Sequence, residues 1–378
     1  MSRSHLCRLI FGVLYGLFLV GTDRTHAQEV PPKVILAGLE FSNDSSLALT
    51  GGLKARVFDV TTGKKLREFG GVSYPLAFSP ASRSVCAVGG EGLGVHIWDV
   101  TKPNPTRELA AIHGKAEFSG EFRDYHCAID KSGRFIARCY ARYNKFKFPP
   151  QLDEGRFRLS DIETGKDVQT VDVKGGGVQG VAFSGDGKLV AFYRNMNAKG
   201  STVEVYRVKP WEAVASVTLP TGKLKGESFG TRMRFVAGSP RLLVAGGLLE
   251  DSGPGEFKGT RGYLERGLLW VVDLTEKPSA KLLGEPRGNE QYASLSVSPD
   301  GKRFVTEGGR PESGAQRRIE MRELITGKLV WTEDRGYNQH CNETISPDGK
   351  HVGITSGSDI VLFNAETGKL VRKIDASK

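Results

Sequence analysis

The amino-acid sequence predicts an all-β protein of seven four-stranded antiparallel sheets. Its 378 residues include 48 glycines, which fall with Ser, Asp and Asn in short clusters between apolar runs. Many short strands joined by turns produce this distribution. In addition, one unit of apolar strand, polar turn and apolar strand returns seven times. The repetition favours one repetitive domain over the two or three domains that length alone suggests.

Each repeat opens with a strand that ends in a Phe-Ser-like pair. The seven pairs are Phe41-Ser42, Phe78-Ser79, Ile129-Asp130, Phe183-Ser184, Val236-Ala237, Val297-Ser298 and Ile345-Ser346. Three pairs are followed by Asp-Gly-Lys, at residues 186–188, 300–302 and 348–350, and Ser132-Gly133-Arg134 is a looser copy. Asp bonds its own turn backbone and Gly adopts a positive φ. These tripeptides therefore predict tight turns between strands a and b.

A second motif closes each repeat at the end of strand c. It is found at Phe58-Asp59, Trp98-Asp99, Ser160-Asp161, Tyr206-Arg207, Val272-Asp273, Arg322-Glu323 and Phe363-Asn364. Thr-Gly-Lys follows four of these pairs, at residues 62–64, 164–166, 326–328 and 367–369. The tripeptide predicts a short hairpin with Gly in the left-handed region. It leads into strand d, as in Lys65–Phe69, Val168–Val173 and Leu370–Ile374.

Stacking seven such sheets around an axis buries both faces of each sheet, which predicts a seven-bladed β-propeller. Ser-Pro-Asp-Gly-Lys after strand a and Trp-Asp after strand c resemble the WD-repeat propellers, over about residues 34–378. The resemblance implies a fold and no particular activity. Only Trp98-Asp99 is a true Trp-Asp pair, and the Gly-His dipeptide is missing before every strand a. The resemblance is therefore to a diverged member of this class.

The N-terminal segment is predicted to be a secretory signal peptide over residues 1–27. Arg3 and Arg8 precede an apolar run over Leu9–Gly21, and Ala27 supplies the small residue at the cleavage site. A spanning helix needs about 20 apolar residues, so a permanent anchor is the weaker interpretation. We expect residues 28–378 to form one domain that is secreted or periplasmic and does not span the membrane after cleavage.

The net charge of the mature chain narrows the classes of partner that it could bind. Removing residues 1–27 takes away three arginines and one aspartate, which lowers the net charge from +10 to +8. The positive residues are spread along the chain without a dense run, which disfavours nucleic acid. An anionic polysaccharide or another cell-envelope component stays possible as a partner.

The cysteines of the mature chain allow two interpretations. Cys127 and Cys139 are the only two that are close in sequence, so the cysteines either are buried free thiols or include one disulfide bond between this pair.

The long insertions fall in the b–c connections of units 3 to 6. They are Arg142–Arg156, Asn195–Ser201, Leu248–Arg266 and Gly308–Arg318. Because b–c connections lie opposite the tight turns, we expect four neighbouring blades to raise loops on one face, where a partner binds. The candidate partner-binding residues are Tyr125, His126, Tyr143, Lys145, Phe146, Lys147, Phe148, Tyr337 and His340. Tyr125, His126, Tyr337 and His340 precede or open strand a and can reach the central channel.

No convergent catalytic motif, metal-ligand spacing or cofactor signature is found in the sequence. The sequence therefore predicts a non-catalytic protein-interaction scaffold, with no cofactor and another protein as its partner. Two alternatives stay open. One is a propeller enzyme of the lactonase or quinoprotein type with a site at the central channel. The other is a carbohydrate- or cell-wall-binding protein.

Overall fold

The computed structural model describes residues 36–377. Gaps in this description fall at residues 53, 71, 79–83, 90–94, 101, 103–106, 110–122, 145–150, 197–199, 224–226, 255–260, 285–286, 289–293, 309–316 and 336–342. The predicted signal peptide lies outside the described residues. The chain is all-β: the described residues form six four-stranded antiparallel sheets and one of five strands. Within these residues no helix is long and apolar enough to cross a membrane.

The first four sheets follow one another along the chain. Sheet 1 contains β1 (Leu36–Phe41), β2 (Leu47–Gly52), β3 (Lys54–Asp59) and β4 (Lys65–Gly70). Sheet 2 contains β5 (Val72–Phe78), β6 (Ser84–Gly89), β7 (Val95–Asp99) and β8 (Arg107–Leu109). Sheet 3 contains β9 (Arg123–Ile129), β10 (Phe135–Asn144), β11 (Gln151–Asp161) and β12 (Asp167–Lys174). Sheet 4 contains β13 (Gly177–Phe183), β14 (Leu189–Asn195), β15 (Ser201–Arg207) and β16 (Glu212–Thr218).

The remaining three sheets repeat the same meander. Sheet 5 contains β17 (Glu227–Phe235), β18 (Arg241–Pro254), β19 (Arg261–Asp273) and β20 (Ser279–Leu282), with the short β21 (Arg287–Gly288) paired to β19. Sheet 6 contains β22 (Ser296–Val297), β23 (Arg303–Gly308), β24 (Arg317–Glu323) and β25 (Leu329–Arg335). Sheet 7 contains β26 (Thr344–Ile345), β27 (His351–Ser356), β28 (Asp359–Asn364) and β29 (Leu370–Asp375).

The predicted strand ends are confirmed. Strand c ends at the second residue of its predicted pair in all seven sheets, and strand a ends at the first residue of its predicted pair in six. In sheet 5, strand a ends at Phe235, one residue before Val236. The turn glycines also behave as predicted, with Gly187 at φ 72° in an a–b turn and Gly63 at φ 75° in a c–d turn. Local turn chemistry is therefore sufficient to define where these strands stop.

Side-chain hydrogen bonds fix the a–b turns of sheets 1, 4, 6 and 7. In each, a Ser hydroxyl donates to an Asp two residues later at 2.6 Å and accepts the backbone N–H five residues later at 2.9 Å. The Ser and Asp pairs are Ser42 and Asp44, Ser184 and Asp186, Ser298 and Asp300, and Ser346 and Asp348. Sheet 3 uses the opposite order. There Asp130 accepts the Phe135 N–H at 2.7 Å and the Ser132 hydroxyl at 2.5 Å.

Seven apolar clusters lie between consecutive sheets. They join sheets 1 and 2, 2 and 3, 3 and 4, 4 and 5, 5 and 6, and 6 and 7, and the seventh joins sheet 7 to sheet 1. Successive residues of a strand alternate between two clusters, because side chains of a strand point to opposite faces. Leu49 packs towards sheet 2, for example, whereas Ala48 packs towards sheet 7. Each sheet is thus buried on both faces.

Turns of one sheet also pack on the sheet before it. The c–d turn glycine Gly368 of sheet 7 would place a Cβ 2.9 Å from the Trp331 ring of sheet 6. Gly63 of sheet 1 faces Ile374 of sheet 7 in the same way, at 3.5 Å. The Ser45 hydroxyl accepts the Asp348 N–H at 3.0 Å, and the Leu36 N–H donates to the Gly357 carbonyl at 3.0 Å. Sheets 7 and 1 are therefore joined by hydrogen bonds as well as by apolar contact.

Strand register decides whether Cys127 and Cys139 can form a disulfide. Cys127 lies opposite Arg138, whereas Cys139 lies opposite His126. The two thiols are one position out of step on neighbouring strands and point to opposite faces of sheet 3. They do not form a disulfide.

Candidate functional site

The predicted partner-binding residues divide into two groups. Tyr125 and His126 lie on β9, and Tyr143 lies near the end of β10. The other six lie outside the described residues: Lys145, Phe146, Lys147, Phe148, Tyr337 and His340. The structure therefore describes a side chain for His126 alone among the nine.

The b–c connections of sheets 3 and 5 are largely strand. In sheet 3, β10 and β11 run for 10 and 11 residues. In sheet 5, β18 and β19 run for 14 and 13 residues, whereas the corresponding strands of sheets 1, 4 and 7 have six or seven. The sequence predicted these insertions as loops, but their backbones pair with each other, which satisfies N–H and C=O groups that water would otherwise have to satisfy. We call these two projecting hairpins the ribbons.

The ribbons lie at the end of their sheets opposite the tight turns. Asn144 pairs with Gln151 at the tip of the first ribbon, and Pro254 pairs with Arg261 at the tip of the second. In sheet 4 the shorter connection closes through the Met196 N–H and the Gly200 carbonyl at 3.0 Å. At about 3.3 Å per residue, six or seven extra residues extend the second ribbon by about 20 Å beyond the corresponding strands of the other sheets.

A polar cluster joins the first strands of three sheets that are not neighbours in sequence. Arg232 of β17 places Nη1 3.1 Å from Nδ1 of His126 on β9. Arg234, two residues further along β17, donates from Nη2 to Oε1 of Glu40 on β1 at 3.3 Å. The two contacts span 106 and 194 residues of sequence. Sheet 5 therefore reaches both sheet 3 and sheet 1 through one strand.

The geometry fixes the protonation of His126. A guanidinium has N–H donors and no acceptor, so Nδ1 must accept and the ring proton lies on Nε2. Burial lowers the pKa of His126 well below its usual value, and the positive charges of Arg232 and Arg234 lower it further. The imidazole is therefore neutral at physiological pH and presents an N–H donor on its other nitrogen.

Glu40 is shifted in the opposite direction. Burial raises the pKa of Glu40 above its usual value, and the charges of Arg234 and Arg232 oppose this only in part. Its side chain is 31% exposed and that of Arg234 is 36% exposed, so solvent reaches the pair. The four side chains, which we call the inner-strand cluster, thus contain two cations, one neutral imidazole and one carboxylate.

Three members of this cluster are absent from the sequence-based candidates. Glu40, Arg232 and Arg234 are the missed residues, and one signal could have found them. The first strand of a sheet that is buried on both faces should be apolar on both sides, yet a glutamate interrupts β1 and two arginines interrupt β17. Within the described part of the chain, no group of three or more His, Cys, Asp or Glu side chains could hold a metal ion.

The chain was compared with models of known protein families and with curated proteins, and it matches none of them.

Proposed function

We propose that the chain is a WD-repeat-like, seven-bladed β-propeller that is exported and acts as a non-catalytic scaffold for another protein. The partner is expected to bind the face that carries the b–c connections of blades 3 to 6. Seven sheets with apolar clusters in cyclic order support the closed ring, and so does the hydrogen bonding between sheets 7 and 1. A crystal structure with another blade number, or with an open arc of blades, would contradict the ring.

The inner-strand cluster gives the ring independent support. Its contacts skip sheet 4 in one direction and sheets 6 and 7 in the other. First strands of non-neighbouring sheets can touch only where they converge, as they do around the axis of a propeller. An extended stack of sheets would keep sheets 1, 3 and 5 apart.

The proposal that a partner binds this face is based on the two ribbons. Their strands have 10 to 14 residues, against six or seven in the corresponding strands of sheets 1, 4 and 7, and the tight-turn end of the molecule has no comparable feature among the described residues. A rigid sheet can hold such an extension without being altered by it, which is why binding residues concentrate on connections of this kind. A paired ribbon also loses less conformational entropy on binding than a free loop, because its backbone is already ordered.

The test is to trim each ribbon in register. Glu250–Leu264 would be replaced by Asn-Gly, because Leu249 pairs with Glu265 and Asn-Gly forms a two-residue hairpin turn. The sheet 3 ribbon would be cut at the Arg142 and Glu154 pair in the same way. Wild-type and trimmed proteins would be compared by pull-down from the envelope fraction, followed by binding measurements on the purified partner.

A matched control carries Lys188→Ala and Lys302→Ala in exposed a–b turns at the other end of the sheets. We expect the partner to bind wild type and control equally, and to bind a trimmed protein at least about tenfold more weakly. A partner that binds both trimmed proteins normally, or that is lost only from the control, would contradict the proposal. Retention of a polysaccharide in place of a protein would favour the wall-binding alternative.

A further inference from the structure

We propose that a cavity between sheets 7 and 1 binds the phosphate group of a small phosphate ester. The cavity has a volume of about 510 Å³, which is in the range of sites that hold small molecules. Four cations line it, Lys64 and Lys65 from sheet 1 and Arg372 and Lys373 from sheet 7. The site is separate from the ribbons of sheets 3 and 5 and does not depend on their having a partner.

The equivalent junction between sheets 6 and 7 is filled by an indole. Trp331, the third residue after the Thr-Gly-Lys turn of sheet 6, packs on Gly368 of the next sheet, and its Nε1 donates to the Ala365 carbonyl at 3.0 Å. Arg372 is the third residue after the corresponding turn of sheet 7, and its Nη1 donates to the Thr61 carbonyl of sheet 1. A guanidinium therefore takes the position of the indole, and it brings a positive charge to a junction that is left partly open.

Two of the four cations have carboxylate partners. The Lys373 ammonium lies 2.8 Å from Asp359. The Lys65 ammonium lies 3.5 Å from Glu68, but this carboxylate also pairs with two other cations, at 2.5 and 3.0 Å. Asp375 lines the cavity as well, and its Oδ1 accepts the N–H and the hydroxyl of a serine two residues later, at 2.9 and 2.5 Å. The local carboxylates are thus already engaged with other groups.

The other two cations, Lys64 and Arg372, are the groups that a ligand would contact. Among the described residues, neither forms an ion pair with a carboxylate. Hydrogen bonds from Thr62 are the main cause that holds the pKa of Asp59 below its ordinary value, and the Arg372 charge contributes least. Because Asp59 accepts the Thr62 N–H at 2.6 Å and the Thr62 hydroxyl at 2.8 Å, its carboxylate is held by its own turn. The cavity therefore has positive charge to spare.

A phosphate ester matches this arrangement better than a carboxylate does. It carries a charge near −2 at neutral pH and three acceptor oxygens, so it can contact cations from two sheets at once. Arginine binds phosphate through paired N–H bonds, and lysine binds it as a point charge. Arg372 uses Nη1 for the turn carbonyl, whereas its Nε and Nη2 donate to no acceptor within the described part of the chain. The buried Phe58 and Ile374 offer apolar contact to the rest of the ester.

The experiment is a titration of the purified protein with glucose 6-phosphate, followed by calorimetry and by the methyl ¹³C signals of isoleucine. Inorganic phosphate, glucuronate and glucose at the same ionic strength are the comparison probes. We expect saturable binding of glucose 6-phosphate, binding of the other two anions at least about tenfold weaker, and no binding of glucose. The Ile374 methyl signals should shift, whereas those of Ile319 in the core of sheet 6 should not.

Charge-removing variants test the assignment of the two cations. Arg372→Gln and Lys64→Gln should each weaken the binding of glucose 6-phosphate about tenfold or more, since each loses a charge-assisted contact. Lys369→Gln is the control for Lys64, because it lies at the same position of the sheet 7 turn and does not line the cavity. Arg67→Gln is the control for Arg372, because Arg67 also donates to a turn carbonyl of the next sheet, at 3.2 Å. Both controls should change binding by less than about twofold.

Arg372→Trp tests the comparison with Trp331 directly. The indole should fill the cavity and abolish binding, while the native circular dichroism spectrum and the Tm are retained. Wild-type affinity in this variant, or equal weakening by a control and its matched variant, would overturn the proposal. Equal affinity for glucuronate would overturn the assignment of phosphate, and equal affinity for inorganic phosphate would overturn that of an ester.

The wild-type protein provides a test that needs no variant to fold. If glucose 6-phosphate at saturating concentration leaves the Ile374 methyl signals unchanged, the cavity does not bind phosphate esters. Loss of binding on trimming a ribbon would place the ligand at the other site and would also overturn the proposal.

Discussion

The two ends of the sheets differ in how closely their sequences repeat. At the tight-turn end, Ser and Asp side chains bond the backbone in the same pattern in sheets 1, 4, 6 and 7. At the opposite end, the b–c connections range from one residue outside the strands in sheet 1 to the two ribbons. Turns that also pack on the neighbouring sheet cannot vary without disturbing it, whereas a projecting hairpin can. The tight-turn end therefore maintains the fold, whereas the length and sequence of the connections at the opposite end can vary.

The largest effect is expected at Gly368, in the c–d turn of sheet 7. Its φ is 71°, and a Cβ would lie 2.9 Å from the Trp331 ring. Gly368→Ala should lower the free energy of unfolding by about 2–4 kcal/mol, since the strained backbone and the overpacked ring both contribute. Urea denaturation measures this.

The control is Gly238→Ala. Gly238 has a similar φ of 64°, but no atom lies within 4 Å of the position that a Cβ would take, so only the backbone contributes. We expect a loss of about 1 kcal/mol there. Equal losses at both positions would show that the packing of turns on neighbouring sheets does not constrain this end.

The inverted turn of sheet 3 sharpens the comparison. The turn needs one hydroxyl and one carboxylate. Asp130→Ser alone leaves two hydroxyls and Ser132→Asp alone leaves two carboxylates, so each variant should lower the free energy of unfolding by about 1 kcal/mol. The double variant recreates the Ser-x-Asp order of the other sheets. Its stability should return to within about 0.5 kcal/mol of wild type in a double-mutant cycle. If the double variant instead loses the sum of the two single losses in the free energy of unfolding, the turn of sheet 3 does not follow the Ser and Asp pattern of the other sheets.

A smaller effect is expected at Glu68 on β4, where acid should remove a surface ion-pair network. The Lys54 ammonium at 2.5 Å is the main cause that lowers the pKa of Glu68 to about 2, and Arg56 at 3.0 Å adds to it. Because the pKa of Glu68 is lower in the folded protein than its unfolded value near 4.5, the ionised carboxylate stabilises the fold at pH values above 4.5. This contribution is lost as the pH falls from 4.5 towards 2.

Glu68→Gln should therefore lower the free energy of unfolding at pH 7 by about 1 kcal/mol or less, and the difference from wild type should disappear near pH 2. Asp172→Asn, which removes the more exposed of the two carboxylates that pair with Arg158, is the matched control and should have a smaller effect. A Glu68→Gln effect that persists unchanged at pH 2 would exclude the ion pairs as its cause.

The smallest effect is expected from the ribbons. Replacing Glu250–Leu264 by Asn-Gly removes a projecting hairpin and leaves the Leu248 to Leu268 core of sheet 5 in place. We expect the free energy of unfolding to change by less than about 0.5 kcal/mol, because shortening a surface connection costs little. A loss above about 2 kcal/mol would show that this ribbon belongs to the core and would break the comparison between the two ends.

Much of the fold could be predicted because its signals are local. The end of strand c at Asp59, Asp161 and Asn364 follows from the residue itself, whose side chain bonds the N–H groups of the next turn. The ribbons could not be predicted as strands, because pairing across Tyr143 and Leu152 depends on two halves of one insertion finding the same register. His126 was a candidate, but its partner Arg232 was not.

The sequence by itself determined the strand boundaries, the tight turns and the alternation that buries both faces of each sheet. These depend on interactions between residues a few positions apart, which are present in any conformation that forms the turn. Only the tertiary structure decided which charged residues meet. Glu40 and Arg234 are 194 residues apart, and they touch because the first strands of three sheets approach one another. The protonation of His126 and Glu40 follows from that approach, since burial and neighbouring charge arise only when the sheets assemble.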